Sequence, residues 1–580
     1  MSTGDAVPQL VHGATPGYAV ELAVFRYALE TITEEMHTTL VRTARSTNIK
    51  DRQDTSSAIY DPRGAVVAQS EVATPVHLGT TQYVVRSLLD QFDFSALQPG
   101  DAIITNTPYP VGPGHLNDVA VVSPVFHNGM MIAVLGNQAH HVDVGGYAPG
   151  SMPFGVWEIY QEGLQIPPVQ AVRGHRLDDG IWRLIAQNIR DPDEVRGDLE
   201  AQIAANAIGA VRISELIERY GPVGLLQHFS ELQDYAERRM RRVINGIPEG
   251  SYCFSDVIEG DGITAKRFRI SANVIVQNDS VTFDFTHTGR SARGPINCGI
   301  ASVAACVYFV MKCIAGEDTP ANAGAFRPLS IIVKPETLLS PKFPAAVCNA
   351  NIITTQRVVD VVLGALAQAL PDRVGAASSG TMHLLNIGTR HGSRYRTLVE
   401  TFGGGQGALP GQDGLDAIHS HMSNTRNTPV EVLENDFPIT IEEYSLVDDS
   451  PGLGRWRGGA GIRRKYLLHE PAIVTLSSDR SEVSPWGLDG GGPGRTASNY
   501  RITRQGRRSS LESKTSFRMA AGERLVIETP GGGGLGALAE RDGTALVADL
   551  RTGLVSEQYL LTSNQPPTKP SLVPAKRVPQ

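Results

Sequence analysis

Cysteine is scarce in this chain. Its 580 residues include five, Cys253, Cys298, Cys306, Cys313 and Cys348. No two of them form a Cys-x-x-Cys pair, and the number is odd. This argues against a disulfide framework or a cysteine-built zinc site and fits a reducing cytoplasm. Long apolar runs are missing too. No stretch approaches 18 consecutive apolar residues, so no transmembrane helix is expected. Met1 to Asp5 carries neither the basic start nor the apolar run of a signal peptide, and a cytoplasmic location is expected. The net charge of −8 is modest for this length and gives no reason to expect nucleic-acid binding. A nucleotide loop is also lacking. Gly490–Gly494 and Pro530–Gly534 are glycine-rich, but neither ends in Gly-Lys-Ser/Thr or lies between a clear strand and helix. Both read as turns.

What is present is an ordinary globular composition, 41% apolar and 19% charged, in a chain long enough for two to four domains. Phe25, Leu29, Ile32, Met36 and Leu40 recur at helical spacing over 21–46. Ser57 to Ala68 reads as strand, turn, strand; 81–92 as helix; Ala102–Thr105 as a short strand. Residues 180–245 are mostly helical and stop at Gly246–Gly250. Short alternating strands fill 251–290, buried helices 300–314 and 356–370. From 440 to 535 short strands and glycine turns predict a sandwich or barrel-like unit. The expected fold class is α+β and multidomain. A flexible start covers 1–15. Residues 16–246 form a helical and mixed N-terminal α/β region, 247–440 a middle α+β region and 441–540 a β-rich region. A short helix and a disordered tail take 541–580.

The chemistry concentrates between Gly114 and Gly146. Val119–Phe126 and Met130–Leu135 read as the strands of a hairpin around His127-Asn128-Gly129. Gly114-His115-Leu116-Asn117-Asp118 and Gln138-Ala139-His140-His141-Val142-Asp143 flank it. Residues equidistant from the turn face each other. A three-residue loop puts Asp118 and His140 on one face as diagonal neighbours; a two-residue turn at Asn128-Gly129 puts His141 there instead. Either way imidazoles and a carboxylate converge at one end of the hairpin. Such a set suits zinc, manganese or iron with positions left open, the catalytic arrangement. Asp143 is placed to orient a histidine. Strand-end polar residues without function are the plainer alternative, and pattern alone weighs the two evenly.

Three weaker constellations follow. Ile418–Pro429 packs hydrogen-bonding groups into a loop fit for a polar substrate or a neighbouring subunit, or for a turn-rich connector. Asn48–Asp54 reads by pattern as a solvated charged loop. Cys298 is a candidate nucleophile, though a free cysteine is more often a small buried hydrophobe.

These segments together resemble the hydantoinase B/oxoprolinase family. The matching stretches include Asn48-Ile49-Lys50, Pro75–Gly79, Gly114–Asp118, His140–Gly146, Pro149–Pro153, Glu158–Gly163 and Gly197–Gln202. Gly294–Cys298, Asn424–Glu431 and Thr529–Gly534 complete them. The resemblance implies a B-type subunit that works with a separate A-type, actin-like-fold subunit. That partner binds ATP and phosphorylates the substrate carbonyl oxygen; this chain acts on the activated species. It implies a divalent ion (Zn, Mn or Fe) held by His115, Asp118 and His140, with His141 and Asp143 as the catalytic neighbours. Asp54, His77, Asn424 and Arg426 are the implied substrate-binding residues. ATP sits on the partner, not here. The implied activity is ATP-dependent hydrolysis of a cyclic amide. The alternatives are a subunit of an ATP-dependent ketone carboxylase and a non-catalytic scaffold for the ATPase. The segment Asp51–Ser56 departs from relatives, which often carry an extra basic residue and an aromatic there.

Overall fold

A seven-stranded antiparallel sheet carries the histidine-rich segment. The computed structural model describes residues 16–392 and 394–563. The expected flexible start, 1–15, and the tail from 564 on lie outside the described residues. Helix α1 (Pro16–Thr43) and the single turn α2 (Thr47–Lys50) lead into β1 (Thr55–Tyr60) and β2 (Val66–Gln69). After α3 (Thr80–Gln91) come β3 (Ala102–Thr105), β4 (Asp118–His127), β5 (Met130–His140), β6 (Val169–Arg173) and β7 (Arg176–Leu177). The strand order is β2-β1-β5-β4-β3-β6-β7, so the hairpin β4–β5 is central and its ends are held on both sides.

The predicted apolar stripe of α1 is the one that is buried. Phe25, Leu29, Ile32, Met36 and Leu40 pack with Ile59, Ile132 and Leu135 of the sheet. Helices α4 (Asp179–Asn188), α5 (Pro192–Tyr220) and α6 (Pro222–Ile244) follow, and Leu216 and Phe229 join that core. Each such side chain contributes about 1.5–3 kcal/mol relative to exposure. The sheet's other face meets α3 through Val84, Val85 and Leu88.

A second sheet is built from β8 (Gly250–Glu259), β9 (Arg267–Gln277) and β10 (Ser280–Asp284). Helices α7 (Ile300–Ala315) and α8 (Ala323–Phe326) precede its last strand, β11 (Leu329–Ile332). Helix α9 (Thr354–Leu366) packs on β8 and β9 beside α7. Then come β12 (Leu384–His391), β13 (Arg394–Thr401), α10 (Val430–Asp436), β14 (Ile439–Leu446), β15 (Ile462–Leu468) and β16 (Ala472–Ser477). The strands β17 (Ser498–Ile502), β18 (Arg508–Ser510), β19 (Lys514–Met519) and β20 (Arg524–Glu528) complete the set. The sheets β13-β12-β16-β19 and β14-β15-β20-β17-β18 enclose one core that includes Leu385, Leu398, Tyr466, Val474 and Ile527. Strands β12 and β13 come from the stretch before 440 and join by pairing β12 with β16. The fold is thus mixed α and β with several sheets. Among the described residues no helix is long and apolar enough to cross a membrane.

The glycine run 531–534 is a packing device. Its four amides donate to the carbonyls of Arg495, Gly459, Ala377 and Gly492, so they are already engaged. A Cβ on Gly532 would stand 2.0 Å from the Gln406 carbonyl oxygen, closer than any real contact.

Candidate functional site

The register of the β4–β5 hairpin differs from both predicted ones. His127 pairs with Met130, so the turn is the two-residue Asn128-Gly129, with φ of 49° and 79°. Those angles are the signature of a type I′ turn, which Asn-Gly favours. The three-residue loop is therefore corrected. A bulge then intervenes: Phe126 faces Met131 and Val125 faces Ala133, leaving Ile132 unmatched. The extra residue shifts the pairing by one, and Asp118 ends directly opposite His140. The face assigned to His140 holds, but its place is opposite Asp118 rather than diagonal to it.

Four potential donors surround one cavity. His77, His115, Asp118 and His140 line it with Asp54 and Arg52. His115 Nε2 lies 3.2 Å from Asp118 Oδ2 and His77 Nε2 3.5 Å from Asp118 Oδ1. The rings of His115 and His140 are 4.9 Å apart. Three of the four side chains are oriented from behind. His115 Nδ1 contacts the Cys348 carbonyl at 2.9 Å, so Nε2 faces the cavity. Asn351 donates to Asp118 Oδ2. Asn48 donates to the His140 carbonyl and contacts its Nδ1 at 3.1 Å. The Asp54 carbonyl accepts from the His140 amide, and its carboxylate accepts from Thr74 Oγ1.

Burial sets the charges. Burial and the neighbouring His115 push the His140 imidazole down to about 4, so it is neutral at pH 7. Burial would raise Asp118, but the imidazoles of His115 and His77 outweigh it and hold the carboxyl well below its usual range. Burial would lower His115, yet Asp118 outweighs that and raises it. A neutral imidazole beside a carboxylate is what a divalent ion requires. As they stand, the side chains are not a finished shell: among the described residues no group of three or more His, Cys, Asp or Glu is arranged to hold an ion. The donor chemistry nonetheless fits. Both nitrogens of His77 and Oδ1 of Asp118 are buried without a hydrogen-bond partner, a costly state that a cation would relieve.

Other expected residues are not brought to this cavity. Strand alternation sends His141 to the opposite face, where Nε2 meets Gln202 Oε1 at 2.9 Å. Asp143 is consumed by the amides of Gly145, Gly150 and Arg190 and by the Arg190 guanidinium. Neither lines the cavity, so a catalytic role for the pair gains no support from the geometry. Asn424 and Arg426 are exposed; Asn424 donates to the carbonyls of Val72 and Ala73. Their neighbours Ser423 and Thr425 line the cavity instead. Cys298 is fully buried, its thiol pushed up to about 12 by burial, as a packed hydrophobe should be. Asn48 and Arg52 are fully buried, which corrects the reading of Asn48–Asp54 as a solvated charged loop, and Asn351 was not anticipated. Asn48 and Arg52 stand four apart around a helical turn, which was a usable signal; nothing near Asn351 marked it.

A larger cavity of about 350 Å³ adjoins the first, with Thr74 and His77 lining both. Its wall is mainly apolar, including Ala58, Val67, Leu78, Leu232 and Phe309.

Comparison with known proteins places these features in context. The profile of the hydantoinase B/oxoprolinase family matches residues 18–538. An uncharacterized protein of Methanocaldococcus jannaschii is 40% identical over 93% of this chain and 94% of its own length. The putative B-type D-/L-hydantoinase subunit of a Pseudomonas species is 31% identical, covering 92% of each chain. The 5-oxoprolinase 1 of Arabidopsis thaliana is 35% identical over 89% of this chain, which spans only 42% of that longer protein. The crystal structure of the ATP-dependent caprolactamase from Pseudomonas jessenii superposes with a TM-score of 0.86 at 29% identity, covering 94% of this chain and 95% of that one.

Proposed function

Because the chain belongs to the hydantoinase B/oxoprolinase family, we propose that it is the amide-cleaving subunit of an ATP-dependent cyclic-amide hydrolase. Its substrate is phosphorylated on the carbonyl oxygen by a separate A-type ATPase subunit. The observation that carries this reading is the convergence of His77, His115, Asp118 and His140 on one buried cavity, beside a second cavity of the size and polarity of a small-molecule site. A separate partner is supported by the likeness to a putative hydantoinase B-type subunit, which matches 92% of each chain.

An unactivated amide is a poor electrophile, and phosphorylation corrects that. A first water adds to the activated ring carbon, and the ring nitrogen leaves with a proton, giving an acyl phosphate. A second water releases phosphate and leaves the open-chain amino acid. His115, Asp118 and His140, with His77 alongside, would hold a divalent ion, which lowers the pKa of water and polarises an oxygen when bound. The chain's own residues do the rest. Cys348 and Asn351 fix the orientation of His115 and Asp118, Asn48 fixes that of His140, and the apolar wall of the larger cavity excludes bulk water from the ring.

The test is metal analysis of the purified protein, together with lactam turnover by His140→Ala in the presence of the partner subunit. Loss of the ion and of turnover is expected. Retained metal with full turnover would overturn the reading. Bicarbonate-dependent consumption of ketone and ATP would identify a carboxylase instead.

A further inference from the structure

Four arginines are among the largest fully buried side chains: Arg52, Arg357, Arg464 and Arg480. Three are neutralised. Arg357 pairs with Asp479 at 2.8 Å, Arg464 with Glu400 at 3.3 Å, and Arg480 with Asp256 and Asp360, both at 2.8 Å. Arg52 is different. Among the described residues its guanidinium meets only neutral acceptors. Nη1 donates to Asn48 Oδ1 and to the Val399 carbonyl at 2.9 Å; Nη2 donates to Thr401 Oγ1 at 2.7 Å and Thr425 Oγ1 at 3.4 Å. Its Nε has no partner. Asp54 and Glu400 reach it only as longer-range charges, and Glu400 is already held by Arg464 and Tyr466.

A buried cation without an adjacent counter-charge is expensive. This one lines the same cavity as His77, His115, Asp118 and His140. It is tied to His140 through Asn48, which accepts from Arg52 and contacts the His140 ring. The hydroxyls of Thr401, Ser423 and Thr425 also line the cavity and are able to turn and donate. With its Nη hydrogens engaged, Arg52 offers its charge and the free Nε–H, and together with the flanking hydroxyls these suit the oxygens of a phosphoryl group, which accept several donors at once.

We infer that Arg52, backed by Thr401 and Thr425, is the anion site that holds the phosphoryl group of the activated substrate against the donor cluster. The phosphoryl identity rests on the hydrolase reading above; the need for an anion rests on the burial of Arg52 alone. Binding there would hold the activated carbon next to the cluster and keep the leaving phosphate charge-compensated.

The test uses the full chain stripped of metal by a chelator, so that phosphate bound to an ion does not contribute. Inorganic phosphate is titrated and followed by phosphorus NMR line broadening and by the rise in melting temperature that a ligand selective for the folded state produces. Wild type should respond, and Arg52→Met should lose affinity on the order of 30-fold or more. Arg52→Lys keeps the charge without the fork and serves if Arg52→Met fails to fold; it should bind several-fold more weakly. Absence of binding in wild type, or equal binding in either variant, overturns the inference. Acetate binding as tightly as phosphate overturns the phosphoryl assignment. Turnover is a separate measurement: phosphate binding without lactam consumption sinks the hydrolase reading and leaves the anion site standing, and turnover without phosphate binding does the reverse.

Discussion

Asp118 and His140 stand directly opposite each other at the open end of the β4–β5 hairpin because β5 carries one residue, Ile132, that β4 does not match. Without that residue's displacement, the Asn128-Gly129 turn would set Ala139 against Asp118 and turn His140 away. With Ile132 in the chain, the metal-type face therefore depends on that residue being bulged out of the ladder.

Deleting Ile132 should remove the bulge and keep Asp118 opposite His140, because the two-residue turn then meets an even ladder. Ion content and turnover should survive. Stability should fall by about 2–5 kcal/mol, the worth of a buried aliphatic side chain. Denaturant unfolding with metal analysis checks this, and a folded deletion variant that has lost its ion would contradict it.

His115→Ala and His140→Ala should each abolish ion binding, whereas His141→Ala should not. His141 faces Gln202, so its loss should cost about 1–3 kcal/mol of stability by leaving a buried amide unpaired. Elemental analysis and thermal melts on the three variants separate the two faces. Equal metal loss in His141→Ala would place the ligand set wrongly.

Thr425→Val should lower kcat/KM for the lactam by roughly tenfold, the equivalent of one hydrogen bond of about 1.4 kcal/mol. Asn424→Ala should change it little, since that side chain lies outside and bonds the 72–73 backbone. Steady-state kinetics of the reconstituted complex decide, and the reverse order would assign the loop's outer face to substrate.

Glu162 gives a pH dependence. Burial outweighs the amides of Val347 and Cys348, which pull the other way, and raises its carboxyl to about 7. A folded-state pKa above the unfolded value near 4.5 means that the acid form is favoured by folding. The associated stability is fully present below about pH 4.5 and is lost as pH rises through about 7. Glu162→Gln should flatten the stability profile in that window. Chemical denaturation from pH 4.5 to 8 measures it, and an unchanged profile would remove Glu162 as the titrating group.

Local pattern carried much of this fold. The apolar stripe of α1, the hairpin and its turn residues, and the strand Ala102–Thr105 all followed from spacing and turn chemistry, which act over a few residues. The donors His115 and Asp118 and the pair His140-His141 were legible for the same reason, since they cluster at the two ends of one hairpin; the choice of His140 was what the family resemblance implied. His141, Asn424 and Arg426 were read toward the site although each has a neighbour one position away that faces it. A period-two alternation is certain in kind, but its phase is set by bulges and by the packing of the opposite face.

By itself the sequence determined the elements, the hairpin and the chemical types gathered at its ends, because those depend on neighbours in the chain. Local pattern left open which histidine faces Asp118; the tertiary structure sets His140 opposite it, as the family resemblance implied. It also set His77, which the resemblance implied for substrate, beside Asp118, and supplied Asn351 from before α9 and the hydroxyl wall of Thr401 and Thr425. It left Arg52 buried without an adjacent counter-charge. These residues are distant in sequence, and contacts between distant segments follow from how sheets and helices pack, which no local pattern encodes.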